Sequence, residues 1–264
     1  MAQPTPLQAH RIDWSVTSAD YAEHRPGPPL SYYRRLQALG VGLPGQSLLD
    51  LGTGTGLVAR QLARQGARVT GVDVAEGQIA AARREAEAEG LAVEFRVAPA
   101  EQIPFEAASF DAIVANQSWW WFDVPRASAE ATRLLKPGGV LVVSQFNWLV
   151  RHDPVAKASE QLVLQFNPTF DRAAWHGRVR PFPAWAEGLF TLQAMFWYDE
   201  AVPFTRDSWR GRLRASYPVA ALGPEGVARF DQAHEELLQR IAPERFGVVH
   251  RIVAHLLLPG TDPW

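Results

Sequence analysis

Two aspartates and three glycines carry the chemistry that can be read from this chain. Asp50 sits near the end of an apolar run in the stretch SLLDLGTGTGLVARQL, and Gly52, Gly54 and Gly56 follow at alternate positions. Glycines in such a loop permit backbone angles closed to other residues and let a ligand come close to the main chain. Asp73 ends a second apolar run, ARVTGVD. An acid at the end of the second strand of a nucleotide-binding sheet takes ribose hydroxyls. Its plainer alternative is to cap a helix starting near Glu76. Together the five residues suit a nucleoside-containing cofactor. The dinucleotide fingerprint Gly-x-Gly-x-x-Gly does not fit, because Leu57 stands where its third glycine belongs. A carboxylate at Asp50 would also repel a pyrophosphate, whereas it would accept hydrogen bonds from an ammonium group or lie close to a sulfonium. A nicotinamide-dependent oxidoreductase is therefore the disfavoured reading.

Other chemistry-bearing residues are less distinctive. His24, His152, His176, His234, His250 and His255 are possible bases, but a lone histidine is more often structural. Asp123 is another, unless it starts the helix before Pro125. The run Trp119-Trp120-Trp121 is either an aromatic wall for an apolar acceptor or a cation, or packing. Arg206, Arg210 and Arg214 recur every fourth residue, on one helical face. With Arg212 they would attract an anionic acceptor, and the plainer reading is a solvated face paired with surface acids.

These residues need elements to hold them. Apolar strand candidates lie at 47–51, 68–72, 92–97, 110–115 and 139–145, with helical patterns between them at 56–65, 76–89 and 124–135. That alternation predicts an α/β fold, a parallel sheet with helices on both faces. PPLSYYRRLQALG reads as a helix ending at Gly40, and LLKPGG as a helix stop. Beyond Asn147 the alternation is lost. Residues 148–188 show no clear period, strands are expected at 190–198 and 247–258, and helices near 205–215 and 224–242. The expected organisation is one domain over 1–264. It has a helical entry segment at 1–45, a cofactor-binding core at 46–147, and insertions at 148–189 and 203–243 that form a substrate cap. The final strands fall at 190–202 and 244–264.

Composition narrows the classes further. The 264 residues are 47% apolar and 20% charged with a net charge of −2, so no basic field for nucleic acid is expected. No cysteine is present, which excludes disulfides, thiolate metal sites and cysteine nucleophiles; no metal is expected. The opening MAQPTPLQAHRIDWS lacks the apolar core of a signal peptide. No segment reaches the roughly 18 apolar residues of a membrane span. The expectation is a cytoplasmic protein without membrane partners, monomeric or homodimeric.

In LLDLGTGTG, VTGVD, APAEQIPF, SFDAIVANQSWWWFD and LLKPGG, in that order, the chain resembles class I S-adenosylmethionine-dependent methyltransferases. The match covers about residues 45–145. YAEHRPGPPL and the sections SWRGRLRASYPVAALGPEGVARF and VVHRIVAHLLLP are similar to the trans-aconitate methyltransferase-like branch. The resemblance implies a Rossmann-like, doubly wound seven-stranded sheet with its last strand antiparallel. It implies S-adenosylmethionine as cofactor and in-line methyl transfer to a small-molecule acceptor. By position, Gly52, Gly54 and Gly56 would face the methionine part and Asp50 its amino and sulfonium region, with Thr53 and Val74 also among the cofactor-binding residues. Asp73 would bind the ribose, Ala100 and Glu101 would touch the adenine, and Gln117 would lie at the junction of cofactor and acceptor. Arg25 would pair with the methionine carboxylate. Tyr21, Trp119, Trp120, Trp121 and Arg212 would line the acceptor pocket. Relatives often read Gln-Ala-x-His-Trp-Phe-Asp where this chain reads Gln-Ser-Trp-Trp-Trp-Phe-Asp from Gln117 to Asp123. Trp120 thus replaces a histidine, and a relative's acceptor does not carry over. The methyl donor arrives activated, so alignment supplies much of the catalysis, and a base is needed only where the acceptor keeps its proton. A non-catalytic cofactor-binding protein is the alternative within the same fold.

Overall fold

The computed structural model describes residues 26–168, 170 and 177–260. Its sheet has seven strands, β1 (Ser47–Leu51), β2 (Arg68–Asp73), β3 (Val93–Val97), β4 (Phe110–Asn116), β5 (Leu135–Trp148), β6 (Phe190–Thr205) and β7 (Arg245–Pro259). Their order is β3-β2-β1-β4-β5-β7-β6. The first five run parallel. β7 is antiparallel to both β5 and β6, so the last strand alone opposes the others. The order reverses between β1 and β4, where a doubly wound sheet opens its ligand crevice beyond the carboxyl ends. Asp50 lies opposite Val114 there, and Asn116 opposite Ser144.

Helices cover both faces. α1 (Leu30–Ala38), α2 (Leu57–Arg64) and α3 (Glu76–Ala88) bury Tyr32, Leu36, Leu62 and Ile79 on one side. α4 (Val124–Leu134) buries Ala127, Ala131 and Leu134 on the other. Each helix presents the apolar stripe its sequence period encodes. Asp123 caps α4 by accepting from the Arg126 N–H at 3.3 Å, so it starts the helix, as its position before Pro125 suggests.

The later chain differs from expectation in three ways. α5 (Pro154–Phe166) lies inside the stretch without a clear period. Its buried face includes Ser159 and Glu160 beside Val155, Ala156 and Val163, and those polar members hide the apolar stripe. β5 begins at Leu135 and β6 runs on to Thr205, both longer than read. At the start of β5 the pairing register shifts between Phe110 and Ala112, which accommodates the proline-glycine turn. α6 (Arg206–Arg214), a short α7 (Tyr217–Ala220) and α8 (Gly223–Ile241) follow. Trp209, Leu213, Phe230 and Leu238 of these helices join the core on the face that holds α1.

Candidate functional site

The loop after β1 is shaped by the strands around it. Gly52, Gly54 and Gly56 all have positive φ, 66°, 55° and 77°, conformations that cost a residue with a side chain about 1–2 kcal/mol. Close packing adds a second constraint. A Cβ on Gly52 would stand 2.5 Å from the Ser118 Cβ, and one on Gly56 would stand 2.9 Å from the Phe95 ring. The protein's own neighbours thus require these two glycines, apart from any ligand. The Thr53 N–H bonds the Val72 carbonyl at 2.9 Å, tying the loop to β2, and Gly56 is the N-cap of α2.

Two carboxylates flank this loop. The Thr53 hydroxyl donates to Asp50 at 2.6 Å, and Asp50 is only 2% exposed. Burial pushes its carboxyl up to about 7; the Thr53 bond opposes the shift and the nearby Asp73 charge adds to it. Asp73 accepts from the Gly54 N–H at 2.9 Å and from the Ala75 N–H at 3.0 Å. Ala75, not Asp73, is the N-cap of α3, so Asp73 ties the glycine loop to the end of β2 instead of capping the helix. Burial raises its carboxyl too, against those backbone bonds.

Beside Asp50 a hollow opens at the carboxyl ends of β1, β4 and β5. Asp50, Thr55, Asn116 and Phe146 line it, together with the segment Pro26–Gly27–Pro28. Thr55 is 1% exposed, and its hydroxyl has no hydrogen-bond partner among the described residues. The Asn116 amide donates to the Ser144 hydroxyl at 2.9 Å, and Ser144 in turn bonds the Tyr32 phenol at 2.9 Å. Burial holds that phenol protonated far above its usual range. Gln117 next to Asn116 has a φ of 63°, a strained conformation of the kind found at functional sites. Its side-chain amide donates to the Phe146 carbonyl and its N–H to the Ser144 carbonyl at 2.9 Å.

Of the residues named from sequence, Asp50, Gly52 and Thr53 line the hollow, and Asp73 bonds Gly54 in the same loop. Val74 is 70% exposed at the end of β2. Ala100 is buried in the loop after β3, and Glu101 accepts from the Asp123 N–H at 2.8 Å. Arg25 and Tyr21 lie outside the described residues, as do His24 and His176. Trp119 is fully buried, 4.9 Å from the Trp185 ring and 5.9 Å from Phe122, which is packing against the insertion. Trp120 and Trp121 are half-buried in the same 3-10 turn. Arg210 and Arg214 both pair with Asp231 on α8, at 2.5 and 2.8 Å, and Arg206 approaches Glu244 at 3.6 Å. Arg210 and Arg214 face their acid across a helix interface and are only partly open to solvent, whereas Glu244 lies between α8 and β7. Arg212 points elsewhere, buried with its guanidinium 4.6 Å above the Trp148 ring.

Sequence reasoning missed Thr55, Tyr32, Asn116, Ser144 and Phe146. The signal available was position: Asn116 ends β4 and Phe146 lies near the carboxyl end of β5, the side where ligands bind. Among the described residues no group of acids and histidines is arranged to hold a metal, and no helix is long and apolar enough to cross a membrane.

Residues 49–143 match the family model described as a methyltransferase domain. The chain is 37% identical over 127 residues to a ubiquinone biosynthesis O-methyltransferase of Methylocella silvestris, a match covering 48% of this chain and 50% of that protein. It thus spans about half the length of that curated relative. A ubiquinone biosynthesis O-methyltransferase of Xylella fastidiosa (strain M23) is 31% identical over 225 residues, covering 80% of this chain and 89% of the relative. Among solved structures, a type II methyltransferase from Anaeromyxobacter dehalogenans superposes with a TM-score of 0.59 at 26% identity, covering 88% of this chain and 97% of that one. These relatives point to the class as a whole and not to the trans-aconitate branch.

Proposed function

This chain belongs to the class I S-adenosylmethionine-dependent methyltransferases, and from that premise we propose that it transfers a methyl group from S-adenosylmethionine to a small-molecule acceptor. The observation that carries the reading is Asp50. It is a buried carboxylate on the wall of a hollow, bonded by a neutral hydroxyl, beside a loop whose glycines keep main chain bare. That is a receptor for a cationic, amino-acid-like group, and it is hostile to a pyrophosphate. The Thr55 hydroxyl at the same wall, without a partner among the described residues, suits a ligand's polar group.

When bound, the cofactor supplies a methyl already activated on a sulfonium. The protein's part is then alignment. Asp50, Thr53 and the glycine loop hold the amino-acid end. Asp73, steadied by two N–H groups, keeps lone pairs on both oxygens for ribose hydroxyls. Ala100 and Glu101 flank the base, Val74 is a further contact to the cofactor, and Arg25 meets the methionine carboxylate. Asn116 and Gln117, fixed by Ser144 and Phe146, set the floor on which an acceptor meets the methyl. Tyr21, Trp120, Trp121 and Arg212 belong to the acceptor side under a cap formed by the insertions at 148–189 and 203–243. The Xylella fastidiosa relative, which matches most of the chain, is an O-methyltransferase, and that supports an oxygen acceptor. We place the enzyme in the cytoplasm as a monomer or homodimer that does not bind nucleic acid.

Isothermal calorimetry with S-adenosylmethionine, S-adenosylhomocysteine and NAD tests the reading. Both sulfur ligands are expected to bind at one site and NAD to give no heat. Binding of NAD alone would refute it. Tight binding of the donor with no methyl transferred to any of a broad panel of phenols, amines and carboxylates would favour a non-catalytic cofactor-binding protein.

A further inference from the structure

Among the described residues Asp50 has no counter-charge. It makes no ion pair within the described residues, and its side-chain partner is the neutral Thr53 hydroxyl at 2.6 Å. The charged or titratable groups that face it are Asp73 from β2 and the phenols of Tyr32 and Tyr33 from α1. The acid repels it, and burial keeps both phenols protonated and neutral. A carboxylate taken out of water with no cation beside it is held in its neutral form. Yet it borders a hollow, so a cationic ligand entering there would supply the missing partner.

We propose that Asp50 is a proton-coupled selector: it is protonated while the hollow lacks a cation, and it releases that proton when the cationic amino-acid end of the donor arrives. The inference rests on the methyltransferase reading and adds to it a linkage between ligand charge and protonation. The balance is simple. The O–H bond of the carboxyl breaks, its electron pair stays on oxygen, and the proton passes to buffer. The ligand gives up nothing and no redox partner is involved. Selection follows from the same linkage. A ligand without a cationic group, neutral or anionic, leaves Asp50 protonated and gains no ion pair from it.

The carboxyl is raised to about 7, so the linkage operates below neutral pH. Affinity for S-adenosylmethionine should rise about tenfold per pH unit between pH 5 and 6.5, then level off. Calorimetry in two buffers of different ionisation enthalpy measures the effect directly. At pH 6 roughly one proton should be released to buffer per S-adenosylmethionine bound. Asp50→Asn, which mimics the protonated form, should bind more weakly at pH 7 and show no release at pH 6. Any pH dependence left in that variant belongs to Asp73, whose carboxyl is also raised, or to the ligand. The wild-type proton count stands without the variant, should the variant fail to fold. Binding with no proton released at pH 6 overturns the proposal and leaves the methyltransferase reading intact. No binding of either sulfur ligand at any pH overturns both.

Discussion

Asp73 shows how one side chain that holds the fold is also free to serve the proposed site. Its two oxygens accept from the Gly54 and Ala75 N–H groups, which fixes the loop, and each oxygen keeps a lone pair turned to other partners. Asp73→Ala should therefore weaken S-adenosylmethionine binding by about 1.5–3 kcal/mol, the scale of a charge-assisted hydrogen bond. Calorimetry would read this as a higher Kd, and an unaltered Kd would remove Asp73 from the site. The residue type and place were legible because an acid at a strand end beside a glycine loop has few uses. The Thr55 hydroxyl and the Asn116–Ser144–Tyr32 chain were not. Their importance comes from α1 and β5 meeting β4, and no local spacing records that meeting.

At the scale of elements, caps and cross-ties decide how the insertion sits on the sheet. Asp153 is 5% exposed. One of its oxygens caps α5 by accepting from the Ala156 N–H at 2.9 Å, and the other accepts from the Val249 N–H of β7 at 2.9 Å. Asp153→Ala removes a cap and leaves a backbone donor unpaired. A loss of about 2–4 kcal/mol in stability is expected, seen as a lower urea midpoint at unchanged slope. A loss below about 0.5 kcal/mol, the size of an ordinary surface substitution, would show that Asp153 does not join the two elements. The period of α1 to α4 was readable because each helix buries one apolar face. α5 was not, because Ser159 and Glu160 sit on its buried face. There Ser159 bonds the His234 imidazole at 2.9 Å and accepts from the Trp209 indole at 3.0 Å, while Glu160 accepts from the Trp148 indole at 2.9 Å. Polar residues paired this way inside a core defeat an apolar count.

For the whole molecule, buried ionisable groups set the pH limits. His234 and His250 lie inside the core, and desolvation lowers them to about 4 and about 3. Between those values and the ordinary histidine value the unfolded chain binds more protons than the native one. Stability therefore falls as pH drops from about 6.5 toward 4. Asp50 and Asp73, shifted upward, act in the opposite sense and partly offset the loss. His234→Gln isolates one contribution: the slope of stability against pH between 4.5 and 6 should fall by up to about 1.4 kcal/mol per pH unit. Urea unfolding across that range measures it, and an unchanged slope would mean His234 is not held neutral in the fold.

The sequence alone determined the alternation of strands and helices, the glycine loop and the acids at its edges. Those features are local: an apolar period, a turn that needs positive φ, and a carboxylate at a strand end are each written within a few residues. Only the tertiary structure decided which residues share the hollow. It turned Trp119 inward against Trp185 and paired Arg210 and Arg214 with Asp231. It also stacked His250 4.5 Å from the Phe146 ring. Such contacts join segments far apart in the chain, and their geometry depends on how strands cross at the switch point, which no stretch of sequence specifies by itself.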